Sequence, residues 1–407
     1  MKKTRVGILF GGRSAEHEVS LKSARNILRA IDREKYDVLL IAIDKGGGWG
    51  IIHEDDFSRL FEGTESGGGE ARPAVDSVER LWSTGTDAND TAGIHSTPKG
   101  RTPGDQTSRD QTPSGRTSRD VAILLGRSDG RFLSADPLPV DVVFPVLHGT
   151  YGEDGTVQGL LKLAGVPFVG SGVLGSAVCM DKDVMKRLLR DAGIPTPRFL
   201  AFDWSARETI DFEGVTGTLG TPLFIKPANL GSSVGISKAG SKRDFDRAVA
   251  LAFQYDVKIV IEEFIAGREL ECSVLGNESP VASVPGEVKP LHEFYSYDAK
   301  YIDANGALLE VPAVIAEARK KEIQELAVRS YKVLCCEGMA RADFFLADDG
   351  RILVNELNTL PGFTNISMYP KLWEESGLSQ TALVHRLIEL ALERHERERI
   401  VQTRYPG

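Results

Sequence analysis

No stretch of the 407-residue chain is long and apolar enough to read as a membrane span. The N-terminus, "MKKTRVGILFGGRS", passes from two lysines into a strand-and-glycine pattern, without the apolar segment and small-residue cleavage site of a secretory signal. The expectation is a cytoplasmic protein that stays out of membranes. Cysteine is scarce: Cys179, Cys272, Cys335 and Cys336 show no Cys-x-x-Cys spacing, so no Cys/His metal site is suggested and reduced thiols are the simplest state. A basic block is also missing, and a net charge of −9 argues against nucleic acid as the main partner. The first glycine turn, at Gly11 and Gly12, carries no G-x-G-x-x-G fingerprint, which weakens a dinucleotide reading. What remains is a globular composition, 41% hydrophobic, suited to small-molecule chemistry.

A chain of this length is expected to form two or three domains. "RVGILF" and "GGRSAEHEVSLKSARNILRAI" predict a buried strand, a glycine turn and a helix with Val19, Ile27, Leu28 and Ile31 at helical spacing. "DVLLIAID", "VDVVFPVLHG" and "PFVG" repeat the strand signal around a helical "TVQGLLKLAG", so residues 1–170 read as a parallel α/β domain. Between Ser83 and Asp120 the only large apolar residue is Ile94, and "TSRD" occurs twice. Such a stretch cannot offset its ordering entropy and is expected to be a disordered insertion. Residues 171–262 form an αβ block: helix "DKDVMKRLLRDAG", strand "PLFIKP", a Gly/Ser turn, "VGISKA", a helix around "KRDFDRAVALAF" and strand "KIVIEEFI". Residues 263–407 add "LECSVLG", a long helix around "AEARKKEIQELAVRSYKVL", a hairpin and a terminal helix.

That hairpin, "RADFFLADDGRILVNELN", carries the strongest chemical signal. Asp349-Gly350 predicts a two-residue turn with Asp348 opposite Arg351. Counting outward sets Asp343 opposite Glu356 and Arg341 opposite Asn358, all four on one face, with Ala342, Phe344, Leu353 and Leu357 on the other. Facing carboxylates repel, so something positive is expected between them. Two carboxylates and an amide suit Mg²⁺, whereas a solvated polar face is the plain alternative. In "IKPANLGSSVGIS", Lys226 precedes a loop of Gly231, Ser232, Ser233 and Gly235, which reads as an anion concavity or an ordinary hairpin, and is not a Walker A loop. Lys182 lies in the first turn of its helix, where the macrodipole disfavours a cation unless an anion or water relieves it. Glu16 either complements a helix dipole or holds a substrate ammonium. "EFYSYDAKYID" has the composition of a lid or of a packed hairpin, and Ser367 either caps a helix or meets a carboxylate. His148 reads equally as a buried structural histidine or a substrate contact.

Taken in order, "FGGRSAEHEVSL", "HGTYGEDGTVQGLL", "KPANLGSSVGISK", "YDAKY" and "NELNTLPGFTNISMYP" resemble the D-alanine–D-alanine ligases of the ATP-grasp superfamily. The resemblance implies an α/β and α+β, three-domain ATP-grasp fold: an N-terminal substrate domain (1–170), a central domain (171–262) and a C-terminal catalytic domain (263–407), the last two clasping ATP. It implies ligation of two D-alanines through an acyl phosphate, with ATP as co-substrate, two Mg²⁺ ions with Mn²⁺ as an alternative, and a homodimer. By the same resemblance Asp343, Glu356 and Asn358 are the metal ligands, and Lys182, Lys226 and Lys300 contact phosphates under the Ser232, Ser233, Gly235 loop. Glu262, Glu263 and Ile265 hold adenine, and Glu269 the ribose. Glu16, with Ser232 and Tyr301, fixes the first D-alanine's ammonium. Arg341 and the Gly362 N–H stabilise oxyanionic charge, and Ser367 binds the second carboxylate.

Overall fold

The computed structural model describes residues 2–61, 140–231, 234–290 and 307–402. The Ser83–Asp120 stretch, Ser232, Ser233, Lys300 and Tyr301 lie outside the described residues.

The first sheet is built on β1 (Thr4–Gly11), whose last six residues are all buried, as befits a strand covered on both faces. β2 (Tyr36–Ile43) pairs parallel to it on one side and β4 (Val142–Val146) on the other, with β3 (Trp49–Ile52) antiparallel on β2. α1 (His17–Ala30), α2 (Glu54–Arg59) and α3 (Thr156–Leu163) belong to this part of the chain. The strand expected in "PFVG" shrinks to a single parallel bridge, Val143 to Phe168. It is bounded by Pro167, which has no N–H to give, and by Gly170 at φ +93°.

Two helices follow, α4 (Val173–Met180) and α5 (Lys182–Asp191). The second sheet is antiparallel, in the order β5-β8-β6-β7, from β5 (Phe199–Asp203), β6 (Leu223–Pro227), β7 (Ser237–Ala239) and β8 (Lys258–Glu263). Its apolar face packs on α6 (Phe212–Leu219) and α7 (Lys242–Ala252) through Val215, Leu219, Phe245 and Val249. The third sheet, β11-β10-β9-β12-β13, is antiparallel throughout and comprises β9 (Gly267–Gly276), β10 (Val281–Pro290), β11 (Ala307–Glu310), β12 (Gly338–Ala347) and β13 (Ile352–Asn358). α8 (Glu317–Val333) buries Ile323, Ala327 and Tyr331 against it. α9 (Met368–Glu375) and α10 (Gln380–Ile400) close the chain. α10 does not stay with the third sheet. Its Leu383, Leu387 and Ile388 share one core with Val6, Ile8, Phe10 and Phe144 of the first.

The hairpin differs from expectation in an instructive way. Asp348 does not face Arg351: the Ala347 N–H donates to Arg351 O at 2.9 Å, which leaves a three-residue turn with Gly350 at φ +86°. Near the tip the register is therefore shifted by one, Leu346 opposite Ile352 and Phe344 opposite Val354. A bulge at Asn355 then inserts one extra residue and restores the predicted pairs, Asp343 with Glu356 and Arg341 with Asn358. Leu353 consequently leaves the face assigned to it. It pairs with Phe345, on the side of Asp343, while Ile352 and Val354 join Ala342, Phe344 and Leu357 in the core.

Candidate functional site

Each of the two hairpin carboxylates has a cation beside it. Arg341 reaches Asp343 with two charge-assisted bonds of 2.7 Å and Glu271, from the neighbouring strand β9, at 3.0 Å. Asn358 Nδ2 donates to Asp343 at 3.0 Å, and Lys182 Nζ lies 3.6 Å from Glu356. The side chains of Asp343 and Glu356 are 14% and 24% exposed, which rules out the fully solvated alternative. Lys182 itself is buried, so the misfit of a cation at a helix N-terminus is met by an anion rather than by water. Its ammonium also donates to Leu230 O at 2.6 Å, and the helix is capped by Asp181, which accepts from Asp183 N and Val184 N.

Among the described residues, no group of three His, Cys, Asp or Glu side chains is arranged to hold a metal. The donors that do converge here, two carboxylates and one amide, are hard oxygen ligands in an incomplete shell. That composition fits a hard cation such as Mg²⁺, which keeps waters and shares its sphere with phosphates, or Mn²⁺ in its place.

Beside this hairpin lies a lysine cluster that only partly matches expectation. Lys226 Nζ donates to Glu262 Oε2 at 2.8 Å and approaches Asn355 Oδ1 at 3.5 Å. The other oxygen of Glu262 lies 3.2 Å from Lys186 Nζ, a lysine whose side chain is fully buried and which also donates to Thr196 Oγ1 and Asn355 O, each at 3.2 Å. Burial alone would raise the Glu262 carboxyl, but Lys186 and Lys226 together hold it below the usual carboxylate value. Burial depresses the Lys186 ammonium more than Glu262 restores it, whereas at Lys226 the depression is outweighed by Glu262, Glu356 and Glu269, leaving it above the ordinary lysine value.

Because neighbours on a strand point oppositely, Glu263 turns away from Glu262, and its carboxylate is taken by Arg198 N at 2.8 Å and Arg198 Nε at 2.7 Å. Its side chain is thus committed within the protein, and its backbone N–H donates to Arg198 O at 3.1 Å. Ile265 and Glu269 are half-buried, the latter on β9 opposite Phe345. Gly235 has φ +71°, and a Cβ there would sit 2.8 Å from Tyr255 and 2.9 Å from Pro227, so no other residue fits the loop unchanged.

The third group gathers from the first sheet and the loop after β13. Glu16 occupies the N-cap of α1, makes no capping bond and is buried. A Cβ on Gly149 would fall 2.7 Å from its Oε2, and one on Gly231, at the Gly/Ser loop, 3.5 Å. Glu153 points to the same place: a Cβ on Gly231 would be 3.8 Å from its Oε1, which accepts from Gly149 N at 2.9 Å. Burial, with Glu16 adding to it, pushes the Glu153 carboxyl up to about 8.

His148 is buried and held below its ordinary value by desolvation. Its Nδ1 donates to Leu360 O at 2.9 Å, leaving Nε2 to accept from Ser23 Oγ at 3.1 Å, while Ser23 Oγ accepts from Phe363 N at 3.1 Å. Asn26 Nδ2 donates to Phe363 O at 2.9 Å. The histidine is therefore a structural member that fixes the loop carrying Gly362. Ser367 stands at the N-cap of α9 without capping it; its hydroxyl bonds to Thr364 N and Thr364 Oγ1, and a Cβ on Gly362 would meet it at 2.7 Å.

The structure thus brings together Asp343, Glu356, Asn358, Arg341 and Lys182, joins Lys226 to Glu262, and puts Gly362 against Ser367. Sequence reading missed Lys186, Glu153, Glu271 and Asn355. The first resembles any lysine on the polar face of an amphipathic helix, and the last is a bulge without a residue signature. All four cysteines are free, with Cys179 Sγ and Cys336 Sγ 3.4 Å apart in the core. No helix among the described residues is long and apolar enough to cross a membrane.

Comparison with known proteins gives a consistent result. Residues 5–171 match the family model described as D-ala D-ala ligase N-terminus, and residues 188–389 the one described as D-ala D-ala ligase C-terminus. The chain is 48% identical over 403 residues to a D-alanine--D-alanine ligase of Shouchella clausii, covering 98% of this chain and 97% of the other. It is also 48% identical over 407 residues to D-alanine--D-alanine ligase A of Escherichia coli K12, covering 99% and 100%. Among solved structures, the D-alanine-D-alanine ligase from Coxiella burnetii aligns with TM-score 0.75 at 35% identity over 98% and 97% of the two chains. The VanG D-Ala:D-Ser ligase of Enterococcus faecalis aligns with TM-score 0.73 at 34% identity over 96% and 100%.

Proposed function

The chain belongs to the D-alanine–D-alanine ligase family, and from that premise we propose how its own residues carry out the reaction. The enzyme joins two D-alanines to D-alanyl-D-alanine through an acyl phosphate, converting ATP to ADP and phosphate, in the synthesis of the cell wall. The observation that carries the residue assignment is the Asp343–Glu356 pair facing Lys182, beside the Lys226–Glu262 pair of the second sheet.

Asp343, Glu356 and Asn358 would hold Mg²⁺, two ions in our reading with Mn²⁺ as a substitute, and that metal supplies charge neutralisation of the phosphates. Lys182 and Lys226 bind phosphate oxygens, the Ser232–Gly235 loop covers them on the family pattern, the Glu262–Ile265 segment holds adenine and Glu269 meets the ribose. Glu16 orients the first D-alanine through its ammonium, so that its carboxylate is presented for phosphorylation. Arg341 and the Gly362 N–H stabilise charge on the carbonyl oxygen when the second amine attacks. Ser367, freed from capping duty, binds the second carboxylate. The domains 1–170, 171–262 and 263–407, a homodimer and a cytoplasmic location complete the proposal; Ser232, Ser233, Lys300 and Tyr301 enter it on the family pattern alone.

Phosphate release from ATP and Mg²⁺ with D-alanine, L-alanine, D-alanine plus D-lactate, or D-alanine plus D-serine, with products identified by mass, tests this. D-alanyl-D-alanine from D-alanine alone is expected. A dominant mixed product would move the second-site assignment, and ATP binding without phosphate release would sink it.

A further inference from the structure

A lysine ammonium with no exposure is costly, because burial strips the ion of its hydration. Lys186 is such a group, and packing gives no reason for it: its neighbours on α5, Met185 and Leu189, fill the adjoining core with apolar atoms. What surrounds its nitrogen is a charge arrangement. Glu262, 2% exposed, lies between two lysines, with Oε1 3.2 Å from Lys186 and Oε2 2.8 Å from Lys226. Lys226 is the member of the trio at the edge, its side chain 10% exposed. Without Lys186, the Glu262 carboxylate would form a one-to-one pair with Lys226, net charge zero. With it, the trio carries one positive charge.

We propose that Lys186 is a positioning residue for the nucleotide, offsetting the charge of Glu262 from behind so that Glu262 does not neutralise the Lys226 ammonium at the site. Asn355, the bulge residue, ties the arrangement to the hairpin, its carbonyl accepting from Lys186 and its amide oxygen facing Lys226. This rests on the reading of Lys226 as a phosphate contact.

The test is ADP binding by calorimetry on the full-length enzyme, together with steady-state kinetics. Lys186→Met is expected to weaken ADP at least tenfold and to raise KM for ATP by the same factor, with KM for D-alanine and kcat within threefold of the parent. In the Glu262→Gln background the same substitution is expected to change ADP affinity less than twofold, since the charge it balances is gone. Two results overturn the proposal: Lys186→Met binding ADP within twofold of the parent, or a tenfold loss persisting in the Glu262→Gln background. Should Lys186→Met fail to fold, the comparison of Glu262→Gln with the uncharged Lys186→Met/Glu262→Gln pair still decides. A parent enzyme that makes dipeptide but is unaffected by Lys226→Met would instead remove the Lys226 reading on which the inference stands.

Discussion

The molecule withdraws two sets of acidic side chains from water, one partly and one fully, and treats them oppositely. At the hairpin, Asp343 and Glu356 are accompanied by cations: Arg341 bridges Asp343 and Glu271, and Lys182 stands beside Glu356. At the first sheet, Glu153 is bonded to a backbone N–H and lies under the influence of Glu16, and its carboxyl is pushed up to about 8. One set is paired with arginine and lysine; in the other, burial and the neighbouring Glu16 raise the Glu153 carboxyl. Cation-paired carboxylates suit the metal and phosphates proposed for the hairpin, while a raised carboxyl suits the proposed ammonium pocket, where it avoids stacking two negative charges.

The contrast can be broken most severely at the platform. Glu356→Gln is expected to abolish ligation, by at least a thousandfold in kcat, while circular dichroism and melting stay near the parent; near-normal turnover would overturn the metal assignment. Arg341→Met leaves Asp343 and Glu271 without their shared guanidinium, and should cost about 1–3 kcal/mol of stability in denaturant titration together with a hundredfold in kcat.

Glu153 gives a subtler handle. Its folded value lies above the unfolded one, so its contribution to stability is fully present below about pH 4.5, is lost as pH rises and is gone above about 8. The parent should therefore lose melting temperature between pH 5 and 9, and Glu153→Gln should remove part of that slope; parallel profiles would refute the protonated carboxyl. Glu263→Gln should be the mildest, with KM for ATP within twofold, because that carboxylate serves Arg198 on the far side of the strand.

How much of this was legible in the sequence differs by element. Alternation along "RADFFLADDGRILVNELN" put four polar side chains on one face, and the structure agrees at the Asp343–Glu356 and Arg341–Asn358 pairs. It agrees through two offsetting errors, a turn longer than expected and a bulge not foreseen, because Asp-Gly fits several turn types and a bulge is chosen by tertiary context. Lys186 was hidden by its four-residue spacing from Lys182, which reads as a polar helix face until the second sheet is seen to cover it. Glu153 was hidden in a glycine-rich loop whose path no periodicity reveals. Ser367 shows the opposite case: an N-cap residue by position, it caps nothing.

The path of α10 has a consequence for how the protein is made. The sheet begun by Thr4–Gly11 completes its core with Leu383, Val384, Leu387 and Ile388, more than 370 residues away along the chain. Until those residues emerge from the ribosome, α1 and α2 cover only part of that face, and long-range packing of this kind folds slowly and exposes the chain to aggregation. Cutting the chain before Gln380 is therefore expected to yield not a shorter enzyme but an aggregation-prone chain, read by sedimentation of the truncated protein.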